Sequence, residues 1–131
     1  VKNYMESNVA YARANGYVCT LSGRKRVINE IRSSNFNIRS FGERAAMNMP
    51  LQGSSADIIK IAMIRLFDRL RREGLRSKLI LQVHDELVLD AFEEERDAVM
   101  RIVKEEMENA VELRVPLIAE VHCGKNWYEA K

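Results

Sequence analysis

Apolar residues recur at three- to four-residue spacing through Val1, Met5, Val9 and Ala12, which predicts a helix over residues 1–15. Gly16 suits the left-handed position just past such a helix. Residues 17–21 and 24–28 read as short strands around Ser22-Gly23, a plausible tight turn. Residues 29–37 are polar and loop-like. Ile38, Phe41 and Ala45 share one face of a helix over residues 38–48. Pro50 disfavours the helical conformation at Met49 and is expected to end that helix. A second start follows, where Ser54 and Asp57 have the spacing of a capping box. Ile58, Ile59, Ala62, Met63, Leu66 and Leu70 then form a broad apolar stripe, which Gly74 stops.

Beyond Gly74 the period falls from 3.6 to 2. Residues 79–83 and 87–89 are strands rich in branched side chains, and His84-Asp85-Glu86 forms the tip of the hairpin they make. A helix over 93–110 turns Val99, Ile102, Val103 and Met107 inward and acids outward, and a last strand covers 117–121 after Pro116. The expected fold class is α+β: a small antiparallel sheet with a hairpin, packed against several helices in one unit.

Composition narrows the function classes. The chain has 131 residues, 47% hydrophobic and 31% charged, with 6 Gly and 2 Pro, so a single packed core is expected and disorder is not. No apolar run approaches the length of a membrane span. The absence of an initiator Met and of a signal-peptide pattern at Val1 reads as a segment of a cytosolic protein. Cys19 and Cys123 form no CxxC, which suits a reducing compartment and excludes a cysteine-built zinc site. The net charge of +2 divides unevenly: residues 1–78 hold 15 Lys/Arg and 6 Asp/Glu, residues 79–131 hold 6 and 13. A basic half suits nucleic acid and an acidic half suits metal ligation, although solvated helix faces give the same count.

Three constellations carry candidate chemistry. Asp85 and Glu86 place adjacent carboxylates between hydrophobic strands, where a hard cation such as Mg²⁺ finds oxygen ligands. Successive strand residues face opposite ways, so Asp85 is the better direct ligand. A solvated turn is the competing reading, and His84 reads more readily as a packing or hydrogen-bonding residue than as a ligand. Arg44 and Asn48, four apart, share one helix face, with Gln52 just beyond the expected break at Pro50; their side chains can hydrogen-bond bases or sugars, and read more readily as helix-surface polar and capping residues. Arg24, Lys25 and Arg26 form a basic hairpin that phosphates would attract, equally readable as a solvated turn. The second basic run, from Arg69 to Lys78, follows a helix C-terminus, where cations are favoured anyway. No Walker loop, G-x-S-x-G or H-E-x-x-H string occurs.

Several strings together resemble the C-terminal part of family A DNA polymerases, the bacterial DNA polymerase I family. They are Gly16-Tyr17-Val18, Thr20-Leu21, Gly23-Arg24-Lys25-Arg26, Glu43-Arg44-Ala45-Ala46-Met47-Asn48-Met49-Pro50-Leu51-Gln52-Gly53, Ala56-Asp57-Ile58-Ile59-Lys60, Gln82-Val83-His84-Asp85-Glu86-Leu87 and Val115-Pro116-Leu117. The resemblance runs in order along essentially the whole chain. It implies a partial polymerase palm with a little of the fingers base: residues 1–50 fingers base and basic hairpin, residues 51–131 palm. It implies that Asp85, with Glu86 beside it, is catalytic, and that Asp85 binds the two divalent metals, Mg²⁺ with Mn²⁺ as a substitute. It implies that His84 lies near the primer terminus. Arg44, Asn48 and Gln52 would contact primer-template, Gln52 towards the minor groove, and Arg24, Lys25 and Arg26 would face DNA.

Ser54-Ser55 departs mildly from the Thr-Ala of many members. The family's upstream Asp-Tyr-Ser-x-Ile-Glu motif and its nucleotide-binding fingers helix do not occur in this sequence. The expectation is therefore a fragment of a cytoplasmic bacterial polymerase acting on primer-template and dNTP, inactive without the remaining palm, fingers and thumb. A stand-alone nucleic-acid binding module is the alternative from another class. A metal-dependent nuclease would need further acids beside Asp85, and Asp90 and Glu120 read as ordinary strand residues.

Overall fold

The computed structural model describes residues 1–130 and contains two compact units, Val1–Asp57 and a second from Ile58 onward. The order of elements is α1 (Lys2–Asn15), β1 (Tyr17–Cys19), β2 (Lys25–Val27), α2 (Phe36–Arg72), β3 (Lys78–Val83), β4 (Glu86–Asp90) and α3 (Arg96–Glu108). Short 3₁₀ turns at Asn29–Arg32 and Glu93–Glu95 precede α2 and α3. The strands form two separate antiparallel pairs, β1 with β2 and β3 with β4.

In the first unit α1 ends as expected. Gly16 takes φ 81°, and its N–H donates to Ala12 O at 2.7 Å. The chain then pairs Tyr17 with Val27, Val18 with Arg26 and Cys19 with Lys25. Asn35 caps α2: its Oδ1 accepts from the N–H groups of Asn37 at 2.9 Å and Ile38 at 3.4 Å. The core gathers Ala12, Val18, Ile28, Ile31, Ala46 and Met49. Gly42 lets α2 approach closely, since a Cβ there would meet Ile31 N at 2.8 Å and Glu30 C at 2.9 Å.

The expected break at Pro50 does not occur, and α2 runs through it to Arg72. Proline removes one helical hydrogen bond and crowds the preceding turn, at about 3 kcal/mol. Buried apolar side chains contribute roughly 1.5–3 kcal/mol each. Met49, Ile59 and Leu66 are all buried along α2, so packing outweighs the proline. The capping-box reading of Ser54 falls with the break. Ser54 lies inside the helix, where its Oγ donates to Pro50 O at 2.5 Å and accepts from Leu21 N–H at 2.9 Å.

In the second unit Leu66, Leu70, Val99, Ile102 and Val103 form the core, flanked by Leu75, Leu79, Leu87, Leu89, Met107 and Val121. The inward residues expected of α3 are those found. A two-residue turn, His84-Asp85, joins β3 to β4, so Glu86 belongs to β4 opposite Val83 rather than to the tip. A register shift between Leu79 and Leu81 leaves Ile80 outside the pairing. The strand expected over 117–121 does not form. Burial there alternates, with Leu117, Ala119 and Val121 half-buried and Ile118 and Glu120 exposed. Alternation reports a face against a core. A strand also needs a backbone ladder, and here Ala119 N–H donates to the Glu108 carboxylate at 3.1 Å instead.

Candidate nucleic-acid interface and carboxylate turn

Because α2 is unbroken, Arg44, Asn48 and Gln52 follow one another at i, i+4 and i+8 on a single helix, and all three are exposed. Arg44 Nη1 donates to Ser40 Oγ at 3.0 Å. Gln52 lines an open cleft of about 320 Å³ with Arg24, Lys25, Arg26, Met49 and Gly53. The basic hairpin and Gln52, the last of the three polar helix residues, thus meet on one concavity of the first unit, whereas Arg44 and Asn48 do not line it.

The hairpin wall of that cleft is held from α2. A Cβ on Gly53 would meet Thr20 Cγ2 at 2.6 Å, so the glycine admits the β1–β2 turn against the helix. Arg24 Nε donates to Asp57 Oδ1 at 2.8 Å and its Nη2 to Gly53 O at 3.2 Å. Ser22 Oγ donates to Asp57 Oδ2 at 2.5 Å, and Thr20 Oγ1 accepts from Arg24 N–H at 3.1 Å. The hydroxyls of Ser22 and Thr20 and the Arg24 guanidinium hold the Asp57 carboxyl down at about 2. Lys25 Nζ lies 4.6 Å from the centroid of the Tyr17 ring. Lys25 and Arg26 are both exposed.

The second unit carries the carboxylate turn. His84, Asp85 and Glu86 are all exposed. His84 has φ 53°, the left-handed backbone a two-residue hairpin requires, and its carbonyl accepts from Gln82 Nε2 at 2.7 Å. The positive φ sits at His84, leaving Asp85 presented at the end of the hairpin. Asp85 and Glu86 offer oxygen ligands, the type Mg²⁺ takes. Among the described residues no three His, Cys, Asp or Glu side chains gather at one point. The donor chemistry of the two carboxylates fits a hard cation, and they would be part of a ligand set rather than a whole one.

Arg69, in the second basic run, is committed elsewhere. Its Nε donates to Glu73 at 2.8 Å, and its Nη1 to Glu105 at 2.6 Å and Glu106 at 2.9 Å. These carboxylates push the guanidinium pKa up, and Arg69 in return pulls Glu73 down.

The family model for DNA polymerase family A matches residues 1–129. The chain belongs to DNA polymerase family A. It is 56% identical over all 131 residues to DNA polymerase I of Caldicellulosiruptor bescii and of Geobacillus stearothermophilus, and 52% identical to that of Bacillus subtilis. It covers 15% of the length of each of these relatives. The POL domain of Pol1 from M. smegmatis, in complex with DNA primer-template and dNTP, is similar to it with a TM-score of 0.96 at 45% identity, over 98% of this chain and 23% of that one. Within this family A segment no helix among the described residues is long and apolar enough to cross a membrane.

Asp57 and Ser22 were missed as site-forming residues when the sequence was read alone. A helix start expected after Pro50 absorbed Asp57 as a cap. The signal that pointed elsewhere was Gly53 within an otherwise helical run, since such a glycine marks a close approach of another backbone.

Proposed function

We propose that this chain is a piece of a template-directed DNA polymerase that transfers a nucleotide from dNTP to a primer 3′-OH. In that reading residues 1–50 form the fingers base and basic hairpin, and residues 51–131 belong to the palm. The observation that carries it is the convergence of Gln52 with Arg24, Lys25 and Arg26 on one exposed cleft, in a chain similar to a polymerase solved with primer-template and dNTP.

Each residue type has a role that its chemistry supports. Lys25 and Arg26 neutralise backbone phosphates without reading sequence. Gln52 offers both an amide donor and an acceptor, which suit minor-groove edges that look alike for all base pairs. Arg44 and Asn48 extend this polar row along α2 towards primer-template. His84, on the exposed hairpin turn, lies near the primer terminus. Asp85, with Glu86 beside it, contributes carboxylate oxygen towards divalent ions. Bound there, Mg²⁺ or Mn²⁺ would supply activation of the 3′-hydroxyl and stabilisation of the departing pyrophosphate. The bacterial relatives support action in the cytoplasm of a bacterium.

A primer-extension assay on the isolated chain and on an intact polymerase carrying it tests this reading. Extension by the intact protein alone is expected, because one hairpin carboxylate pair cannot complete the site. Failure of the intact protein to incorporate dNTP opposite template contradicts the polymerase reading. Incorporation by the highly purified isolated chain, lost in Asp85→Ala, contradicts its dependence on the rest.

A further inference from the structure

We infer that Asp57 is a positioning residue for DNA binding, fixing the basic β1–β2 turn as one wall of the cleft so that Lys25 and Arg26 meet phosphates beside Gln52. The inference deepens the proposed function and rests on its reading of the cleft as a DNA surface.

The Asp57 carboxylate holds two residues of this turn, Ser22 and Arg24, onto α2. It accepts from Ser22 Oγ at 2.5 Å and from Arg24 Nε at 2.8 Å, and the same guanidinium reaches Gly53 O at 3.2 Å. Gly53 is the residue next to Gln52, so the Arg24 clamp ties the hairpin to the backbone that carries Gln52. The turn itself is closed by Gly23 N–H to Thr20 O at 3.0 Å and by Thr20 N–H to Arg24 O at 3.0 Å. Thr20 Oγ1 and Ser22 Oγ lie 3.0 Å apart, which links the hydroxyl that binds Asp57 to the one that binds Arg24 N–H. The Asp57 side chain is only 12% exposed, whereas that of Arg24 is half exposed. A shielded carboxylate that stays ionised far below neutral pH is a fixed anchor for a cationic turn.

Charge and position predict opposite signs, which makes the inference testable. Removing a carboxylate from a DNA-facing surface adds one unit of positive charge, and by charge alone binding tightens and its salt dependence steepens. If Asp57 positions the turn, its loss frees Lys25 and Arg26, binding weakens and the salt dependence flattens.

The experiment measures equilibrium binding of an intact polymerase carrying this chain to a fluorescent primer-template duplex across a salt series. Asp57→Ala should raise the dissociation constant about tenfold, the scale of losing charge-assisted hydrogen bonds. It should also lower the slope of log K against log salt. In a Lys25→Ala, Arg26→Ala background the same substitution should have little further effect, since the groups it positions are gone. Asp57→Asn, which retains one acceptor oxygen, should fall between wild type and Asp57→Ala, and it serves as the readout if Asp57→Ala does not fold. Equal or tighter binding by both Asp57 variants overturns the inference and makes Asp57 a mere counter-charge. Unchanged affinity and slope in the Lys25→Ala, Arg26→Ala protein overturns the DNA reading of the cleft, and the inference with it.

Discussion

At the scale of single residues, the exposed polar side chains fall into those tied into the fold and those presented to solvent. Arg24 is held by Asp57 and Gly53, and Arg69 by three glutamates. Gln52 is exposed and carries an amide into the cleft. Gln52→Ala in an intact polymerase should therefore slow extension from matched and mismatched termini while leaving the melting temperature nearly unchanged. Equal extension rates for wild type and variant would remove Gln52 from the interface. Asp57 also gives a pH dependence with a definite sign. Its carboxyl is lowered from 3.8 to about 2 in the fold, so its stabilisation is complete above about pH 4. It is lost as pH falls from there through about 2. Acid melting curves of wild type should steepen over that window, and those of Asp57→Asn should be flatter. Arg24, Lys25, Arg26 and Gln52 stood out in the sequence by their chemistry, but their convergence with Met49 and Gly53 on one cleft did not. The partner of Arg24 was not legible either, because it lies 33 positions away and the expected helix boundary had already given Asp57 another role.

Among the elements, α2 shows where local rules give way. Pro50 and Ser54 carry the sequence pattern of one helix ending and another beginning, but burial of α2 side chains on both sides of Pro50 outweighs a single lost hydrogen bond. The continuous helix has a consequence for the site, because it aligns Arg44, Asn48 and Gln52 at regular spacing. The hairpin of β3 and β4 was legible because its strands are rich in branched residues and its turn is short, although the register shift at Ile80 was not. The segment 117–121 had the right alternation, but no strand among the described residues pairs with it, and Ala119 N–H is taken by the Glu108 carboxylate. Gly42 tests how tightly α2 is set. Alanine gains roughly 1 kcal/mol in helix propensity. Its Cβ would meet backbone atoms of residues 30 and 31 within 3 Å, and relieving such overpacking typically costs about 1–3 kcal/mol. The clash wins because the contacting atoms are backbone and cannot swing aside. Gly42→Ala should lower the midpoint of urea unfolding. An unchanged or raised midpoint would mean that α2 and the 3₁₀ turn can separate freely.

Over the whole molecule, the division into a basic and an acidic half is not how charge is used. Arg69 and Arg76 pair with glutamates from residues 73 to 106, all within the second unit. That unit is close to balanced, with 13 Lys/Arg against 15 Asp/Glu in residues 58–131. Residues 1–57 hold 8 Lys/Arg against 4 Asp/Glu, so the excess positive charge belongs to the unit that carries the cleft. The count along the sequence could not reveal this, because pairing depends on which chain segments fold together. Arg69→Ala should accordingly lower the melting temperature without changing the salt dependence of DNA binding. A flattened salt slope in that variant would place Arg69 at the DNA. In the proposed polymerase activity the cleft of the first unit serves DNA binding and the carboxylate turn of the second serves the chemical step. The most direct test of this claim is single-turnover incorporation by an intact polymerase with Asp85→Asn, measured beside its primer-template affinity. An amide is a poor ligand for a hard cation, while the phosphate contacts proposed for Lys25 and Arg26 do not involve Asp85. The incorporation rate should fall by at least about a hundredfold while the dissociation constant for DNA stays within about twofold. A near-normal incorporation rate, or a loss of activity matched by an equal loss of DNA affinity, would contradict the claim.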